Sequence, residues 1–512
     1  MSNHLYDALF APHEGSANPF LYLEDGRTLS YGTFLERCGQ FAHALATLGI
    51  EPGDRVAVQV AKSAEALVLY AACIRAGAVF LPLNTAYTDT EVDYFVGNAG
   101  AKLLLCDGRN SSALGAVAAG HGAALMTLNA DGNGTFAAAA ERQPTTFPPV
   151  PRDADSLAAL LYTSGTTGRS KGAMLTHGNL LSNAADLKDC WSFTDRDVLL
   201  HALPIFHTHG LFVASNVSLL SGASMIFLPE FKLDDMIHRL PEATAMMGVP
   251  TFYTRMLDDE RFTHDLVAHM RLFVSGSAPL LAETHAAFEA RTGHRILERY
   301  GMTETNMNTS NPYAGERRAG TVGFPLASVD VRITHPETGD AMPACETGMI
   351  EVRGPNVFKG YWQMPKKTRE EFRDDGFFIT GDLGRIDSDG YVQIVGRAKD
   401  LIITGGYNVY PKEVELLLDT LDGVQESAVV GVPHPDFGEG VVGAIVPEKG
   451  TDPDIETLLK EIREKIARFK QPKRLFVVDA LPRNAMGKVQ KNLLRDRFAH
   501  CFTEPDQKAA SL

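Results

Sequence analysis

Cysteine is sparse in this chain of 512 residues. The six, Cys38, Cys73, Cys106, Cys190, Cys345 and Cys501, are widely spread and form no C-x-x-C pair, which argues against a disulfide framework or a zinc site and favours a reducing compartment. Long hydrophobic runs are missing too. Residues 64–79 come nearest, but Glu65 and Arg75 interrupt or flank them, short of the roughly 18 apolar residues of a membrane span. The opening Met1-Ser2-Asn3-His4-Leu5-Tyr6-Asp7 has no basic region followed by an apolar stretch, so no secretory signal is expected and the expected location is cytoplasmic. Positive charge is in deficit, with 48 Lys and Arg against 63 Asp and Glu and a formal net charge of −15. That balance argues against nucleic acid or anionic membrane as the main partner, and an anionic small substrate would need local cations.

The length favours two or more domains, and a hydrophobic fraction of 45% fits a globular enzyme. Residues 55–60 form a short β-branched run, residues 64–77 have helical character and residues 79–83 are apolar again, which reads as a βαβ unit. The alternation continues through apolar runs at 103–105, 157–162, 198–203, 225–228, 245–247 and 272–274. Strands alternating with helices predict doubly wound α/β sheets. Residues 113–140, rich in Ala and Gly, read as a peripheral connection and strand. Beyond about Asp330 the texture becomes β-type, and a compact α/β tail follows Gly396, with helices over 412–421 and 455–467. The fold class is therefore α/β: a large N-terminal domain of two doubly wound subdomains plus a small β-rich one, over 1–398, and a small α/β C-terminal domain over 399–512.

The most informative segment is Thr163-Ser164-Gly165-Thr166-Thr167-Gly168-Arg169-Ser170-Lys171-Gly172, directly after the apolar run 157–162. Its glycines let backbone N–H groups approach closely, its hydroxyls can wrap phosphate oxygens, and Arg169 and Lys171 supply countercharge. A nucleoside triphosphate is the expected partner. A Walker loop is excluded by spacing, since the fifth residue after Gly165 is Ser170 and Gly172 follows Lys171 instead of preceding it. Residues 168–172 do satisfy G-x-S-x-G after a strand, so a hydrolase using Ser170 stays open as an alternative.

Other candidates carry chemistry beside a plainer reading. In Tyr300-Gly301-Met302-Thr303-Glu304-Thr305, Glu304 can hold Mg²⁺ against phosphates, because that cation takes one or two carboxylates plus phosphate oxygens; a helix N-cap at Thr303 is the plainer reading. Asp382, in Thr380-Gly381-Asp382, sits at an expected strand end and suits ribose recognition, although Gly-Asp is also a common turn. Arg397 fits the same sugar or an interdomain salt bridge. Lys488, after Gly487, is either a mobile ammonium for acyl or phosphoryl transfer or a surface lysine. Residues 438–443 match G-x-G-x-x-G literally, but with a strand after instead of before, so dinucleotide binding is rejected. His207 and His209 lack a third ligand nearby, and one of them is favoured as a pocket wall and substrate contact.

With these pieces in order, the chain resembles the adenylate-forming superfamily of acyl-CoA synthetases, peptide-synthetase adenylation domains and luciferases. Residues 162–172, 300–305, 380–382, 396–400 and 482–488 occur in the expected order, and the resemblance covers roughly residues 28–495. Within the superfamily the chain is similar to the malonyl-CoA synthetases, most closely over residues 201–210, 247–255 and 302–310. The resemblance implies malonate or methylmalonate, ATP with Mg²⁺, and coenzyme A as co-substrate, with another short carboxylic acid as the alternative.

It also implies site residues. Thr163 to Lys171 would hold the phosphates, Glu304 the metal, Thr303 a phosphate oxygen, and Lys488 the α-phosphate and carboxylate oxygens. Gly276, Ser277, Ala278, Glu298, Arg299, Tyr300 and Gly301 would surround adenine, with Asp382 and Arg397 at the ribose. The C-terminal domain would rotate about Lys399, an aspartate in many relatives, and bring Gly405 and Gly406 to the CoA thiol. Lys488 becomes a candidate for a regulatory lysine acetyltransferase. A dicarboxylate needs a cation for its second charge in a water-poor pocket. Arg255 is the expected clamp, with His207 and Ser277 as helpers and Met302 and Met307 as further substrate contacts; a helix-surface salt bridge with Asp258 or Asp259 is its plainer reading.

Overall fold

Short Val- and Leu-rich strands with capped helices between them build the molecule, as the alternation predicts. The computed structural model describes residues 2–163, 170–405, 407–484 and 487–502. The chain divides into two compact units, one of residues 1–331 and 352–378, the other of residues 332–351 and 379–512, so Lys399 lies inside the second.

The first unit holds two sheets. A six-stranded sheet has the order Ala124–Thr127, Leu103–Cys106, Arg55–Gln59, Val79–Pro82, Leu157–Thr163, Lys171–Thr176 and is parallel except for its last pair. Ser63 caps the Ala64–Ala76 helix on the Ala66 N–H, and Gly77 ends it in the left-handed region at φ 73°. The peripheral stretch 113–140 resolves into parts of two helices, Ser111–Gly120 and Thr135–Glu141, around the edge strand. A nine-stranded sheet runs Phe324–Pro325, Asn306–Ser310, Leu297–Met302, Leu272–Ser275, Ala245–Gly248, Val198–His201, Ser224–Phe227, Pro19–Leu23, Thr28–Ser30. From Leu297–Met302 through Pro19–Leu23 its strands are parallel. Their C-terminal ends therefore gather His201, Gly248, Ser275 and Arg299 along one edge, the side on which open α/β sheets bind ligands.

The second unit contains a four-stranded sheet, Asp330–Thr334, Gly348–Arg353, Phe378–Ile386 and Val392–Arg397, and a five-stranded sheet built on the long hairpin Val424–His434 and Gly438–Pro447. The expected tail helices are Pro411–Leu418 and Ile455–Lys465. Residues 438–443 lie inside a hairpin strand, in keeping with the rejection of dinucleotide binding.

Three local expectations are corrected. Ser170 leads directly into the Lys171–Thr176 strand, antiparallel to Leu157–Thr163, and not into the helix that follows a nucleophilic serine at a strand-to-helix elbow, so the hydrolase reading falls. Thr303 lies in the turn of a hairpin between Leu297–Met302 and Asn306–Ser310, not at a helix start. Asp382 stands within the nine-residue strand Phe378–Ile386, opposite Arg397, and not at a strand end or in a turn.

Candidate active site

In the first unit, Thr163 and Lys171 pair across the mouth of a hairpin. Ser164, Gly165, Thr166, Thr167, Gly168 and Arg169 lie outside the described residues. The Lys171 ammonium is buried, sits 4.0 Å from the centroid of the Tyr361 ring and donates to Glu371 at 3.1 Å. Residues 360–362 run along the outer strand: Met174 N–H donates to the Gly360 carbonyl and Trp362 N–H to the Gly172 carbonyl. That pairing brings the Tyr361 hydroxyl 3.0 Å from Glu304 Oε1 and 2.6 Å from Glu371 Oε2. Burial alone would raise the Glu371 carboxyl, but hydrogen bonds from Tyr361, Lys367 and Lys171 outweigh it and hold it below the usual range. Lys171, expected on a phosphate, is thus engaged by a carboxylate. Tyr361 and Glu371 were not expected as site residues; they belong to no spacing pattern and reach Glu304 only through the fold.

Glu304 is buried at the hairpin turn, and Gly301 two residues before that turn is required because a Cβ there would overlap the Asn306 carbonyl. Among the described residues no group of three His, Cys, Asp or Glu side chains is placed to hold a metal. One buried carboxylate fits Mg²⁺ that arrives on phosphate oxygens and keeps water, not a resident ion in a protein cage.

At the strand ends lies a cluster of bases. Arg299 is 4% exposed, its Nε and Nη2 have no hydrogen-bond partner, and burial pulls it down to about 9. Its guanidinium lies against Gly276, where a Cβ would overlap it. Burial and then the Arg299 charge pull His207 down to about 4, and the same causes in the same order hold His209 well below its ordinary value. Both imidazoles are therefore neutral at pH 7. His207 Nδ1 and His209 Nε2 are buried without partners, while His209 Nδ1 hydrogen-bonds Ser277 Oγ at 3.2 Å. Ser277 takes the left-handed region at φ 70°, a strained position for serine that places its hydroxyl here. Ala278 is half-buried beside it, and Met302 and Met307 flank the Glu304 turn, the first half-buried and the second buried.

Two expected assignments change. Arg255, on the Pro250–Leu257 helix whose buried residues are Tyr253 and Met256, is exposed and sits 5.8 Å from the Phe231 ring centroid. An exposed guanidinium is not in a water-poor pocket; Arg299, expected at adenine, is the buried one. Glu298 is committed elsewhere: it accepts from Gly320 N–H at 3.2 Å and lies 3.5 Å from His285, with burial pushing its carboxyl up. Tyr300 is half-buried on the same strand.

In the second unit, Arg397 Nε is 2.6 Å from Asp382 Oδ1, so the two residues expected at ribose pair with each other. Thr380 Oγ1 accepts from Asp382 N–H and donates to the Ile350 carbonyl, fixing the strand beneath. Lys399 is exposed in the single 3₁₀ turn Ala398–Asp400, and Asp400 pairs with Arg495 at 2.6 Å. Gly405 takes φ 57° with its N–H on the Phe437 carbonyl, while Gly406 lies outside the described residues. Lys488 closes a tight loop: its N–H donates to Asn484 Oδ1, and Asn484 N–H donates to its carbonyl. The residue as a whole is exposed, but desolvation at the ammonium, with the like charges of Arg397 and Lys399, outweighs Asp382 and Asp400 and brings it down to about 8.

Within the first unit, a buried carboxylate suited to Mg²⁺ and a buried cation beside two neutral imidazoles are features of an enzyme that activates a carboxylic acid with a nucleotide. The chain belongs to the AMP-binding enzyme family, whose model matches residues 11–362, followed by the AMP-binding enzyme C-terminal domain over residues 413–488. It is an AMP-forming acid–CoA ligase. It is 33% identical to malonate–CoA ligase of Arabidopsis thaliana over 96% of this chain and 88% of that one. It is 35% identical to feruloyl-CoA synthase of an Amycolatopsis species, over 92% and 94%. The ATP-bound crystal structure of MatB from Rhodopseudomonas palustris is 55% identical, covering 98% of this chain and 100% of its own, with a TM-score of 0.97.

Proposed function

We propose that the protein is a malonyl-CoA synthetase, joining malonate or methylmalonate to coenzyme A with cleavage of ATP to AMP and pyrophosphate. The observation that carries this reading is Arg299. A monocarboxylic acid needs only an apolar tunnel, whereas a buried guanidinium without a hydrogen-bond partner on Nε and Nη2 is costly unless an anion joins it. The second carboxylate of a dicarboxylate meets that need through bidentate hydrogen bonds. Relatives near one-third identity carry names with different acids, so the likeness to MatB adds more support than they do.

In the first half-reaction one malonate oxygen attacks the α-phosphorus of ATP and the bond to pyrophosphate breaks. Positioning and charge neutralisation supply most of the catalysis. Arg299 holds the far carboxylate, neutral His207 and His209 offer hydrogen bonds without adding charge, and Lys488 meets the negative charge building between carboxylate and α-phosphate. Glu304 is the carboxylate that would hold Mg²⁺, which when bound would supply charge neutralisation at the phosphates. Thr163 and Thr303 supply hydroxyls to the phosphates, and Asp382 with Arg397 receives the ribose. In the second half-reaction the CoA sulfur attacks the acyl carbonyl carbon, AMP leaves, and the thiol proton passes to solvent.

Lys488 is needed only first, so the segment from Lys399 onward turns between the steps and presents Gly405 and Gly406 to the thiol. The Arg397–Asp382 and Asp400–Arg495 pairs on either side of Lys399 support a pivot there, since each anchors the chain up to that residue. Acetylation of Lys488 would remove the charge the first step uses. A cytoplasmic setting fits six free cysteines, and among the described residues no helix is long and apolar enough to cross a membrane. The test is Lys488→Ala assayed in halves: pyrophosphate exchange is lost while thioester formation from supplied malonyl-adenylate persists. Equal loss of both halves contradicts the reading.

A further inference from the structure

Lys62 lies between the Arg55–Gln59 strand and the Ala64–Ala76 helix of the six-stranded sheet, in no motif of the superfamily quoted above. Its ammonium reaches across to the nine-stranded sheet, 2.7 Å from the His201 carbonyl and 2.9 Å from His201 Nδ1, and sits 4.3 Å from the Phe227 ring centroid. Phe227 and His201 are paired ends of adjacent parallel strands. With a lysine donating to Nδ1, the His201 proton belongs on Nε2, which is 2.9 Å from the Gly210 carbonyl. Ser215 Oγ donates to that same carbonyl at 2.9 Å.

Gly210 is the second residue of a seven-residue π-helix, His209–Ser215, a wide turn of the kind found at functional sites. A Cβ at Gly210 would overlap the Pro204 carbonyl, so this close approach is specific to glycine. His207 lies just before this turn and His209 begins it, and both feel the Arg299 charge. Among the described residues no carboxylate lies within ion-pair distance of Lys62.

We propose that Lys62 is a positioning residue of the acyl pocket: its ammonium fixes the tautomer of His201, and His201, through the Gly210 carbonyl, holds the wide turn that aims His207 and His209 at the substrate. Burial lowers both groups well below their ordinary values, and in His201 the Lys62 charge adds to it. A neutral His201 is the form this donor order requires. The role rests on the reading that this pocket takes a dicarboxylate.

The experiment compares Lys62→Met, of similar length without the donors, with Lys62→Arg, which keeps them, in the full-length enzyme. The expected result for Lys62→Met is a KM for malonate raised about tenfold or more, a KM for ATP within about twofold of wild type, and a narrowed preference for malonate over propionate. Lys62→Arg recovers most of the loss. Should Lys62→Met fail to fold, Ser215→Ala removes the other donor to Gly210 and shifts the malonate KM in the same direction with the ATP KM held. Unchanged kinetics, a parallel rise of both KM values, or a fall in Tm alone overturns the role. Arg299→Leu runs alongside: intact malonate activation there sinks the dicarboxylate reading itself, while loss there with silent Lys62 variants overturns only the role of Lys62.

Discussion

The guanidinium of Arg299 rests against Gly276 so closely that any side chain at Gly276 would occupy the same space. The glycine at the end of the Leu272–Ser275 strand thus makes room for a cation on the next strand. Gly276→Ala is expected to displace Arg299 and raise the KM for malonate about tenfold or more. Gly276→Ala should also lower Tm, and in an Arg299→Leu background it should lower Tm little further, because the clash is gone. A full additive penalty in that double-mutant cycle would place the pocket cation elsewhere.

Arg299→Leu should abolish malonate activation and let short monocarboxylic acids enter better than in wild type. Removing a buried charge that has open hydrogen-bonding positions should leave Tm unchanged or raise it, since such a charge is costly to bury. Arg255→Leu, at an exposed helix position, is expected to keep malonate selectivity. Steady-state kinetics with malonate and butyrate on both variants check the contrast.

Adenylation should fall as pH rises through about 8, because Lys488 acts as an ammonium and its lowered pKa places deprotonation there. The sign is fixed by the charge: the protonated form is active and dominates below that value. Lys488→Arg, charged at every accessible pH, should remove this alkaline limb even where its overall rate is lower. Pyrophosphate exchange measured from pH 6 to 10 reads the limb directly, and an unchanged limb in Lys488→Arg assigns it to another group.

Much of this was legible in the residues. Apolar runs of three to six residues between helical stretches marked both parallel sheets, because strands buried on both faces need unbroken Val and Leu. Ordered motifs pointed to the family, since glycine spacing and hydroxyls around a phosphate are local features. The pocket cation was not legible in the same way. Arg255 follows the apolar strand Ala245–Gly248 on a helix that turns it outward, while Arg299 stands inside the strand Leu297–Met302, where the fold buries it. The Tyr361 bridge and the Lys62–His201 relay join residues 57 and 139 positions apart, distances over which spacing carries no geometric information.

Tyr361 offers one hydroxyl proton to two carboxylates, Glu304 and Glu371. Tyr361→Phe leaves Glu304 without this orienting partner. The Mg²⁺ concentration for half-maximal pyrophosphate exchange is expected to rise about tenfold, the effect usual for an outer partner of a metal-binding carboxylate. An unchanged Mg²⁺ dependence would detach Tyr361 from the metal site.

The central claim is that a buried guanidinium selects a doubly charged acid for transfer to CoA. CoA-dependent AMP release across acetate, propionate, butyrate, malonate, methylmalonate and succinate tests it most directly. The account predicts the highest kcat/KM with malonate or methylmalonate, strict dependence on ATP and CoA, and little turnover of the monocarboxylic acids. Equal or better turnover of propionate or butyrate would contradict it.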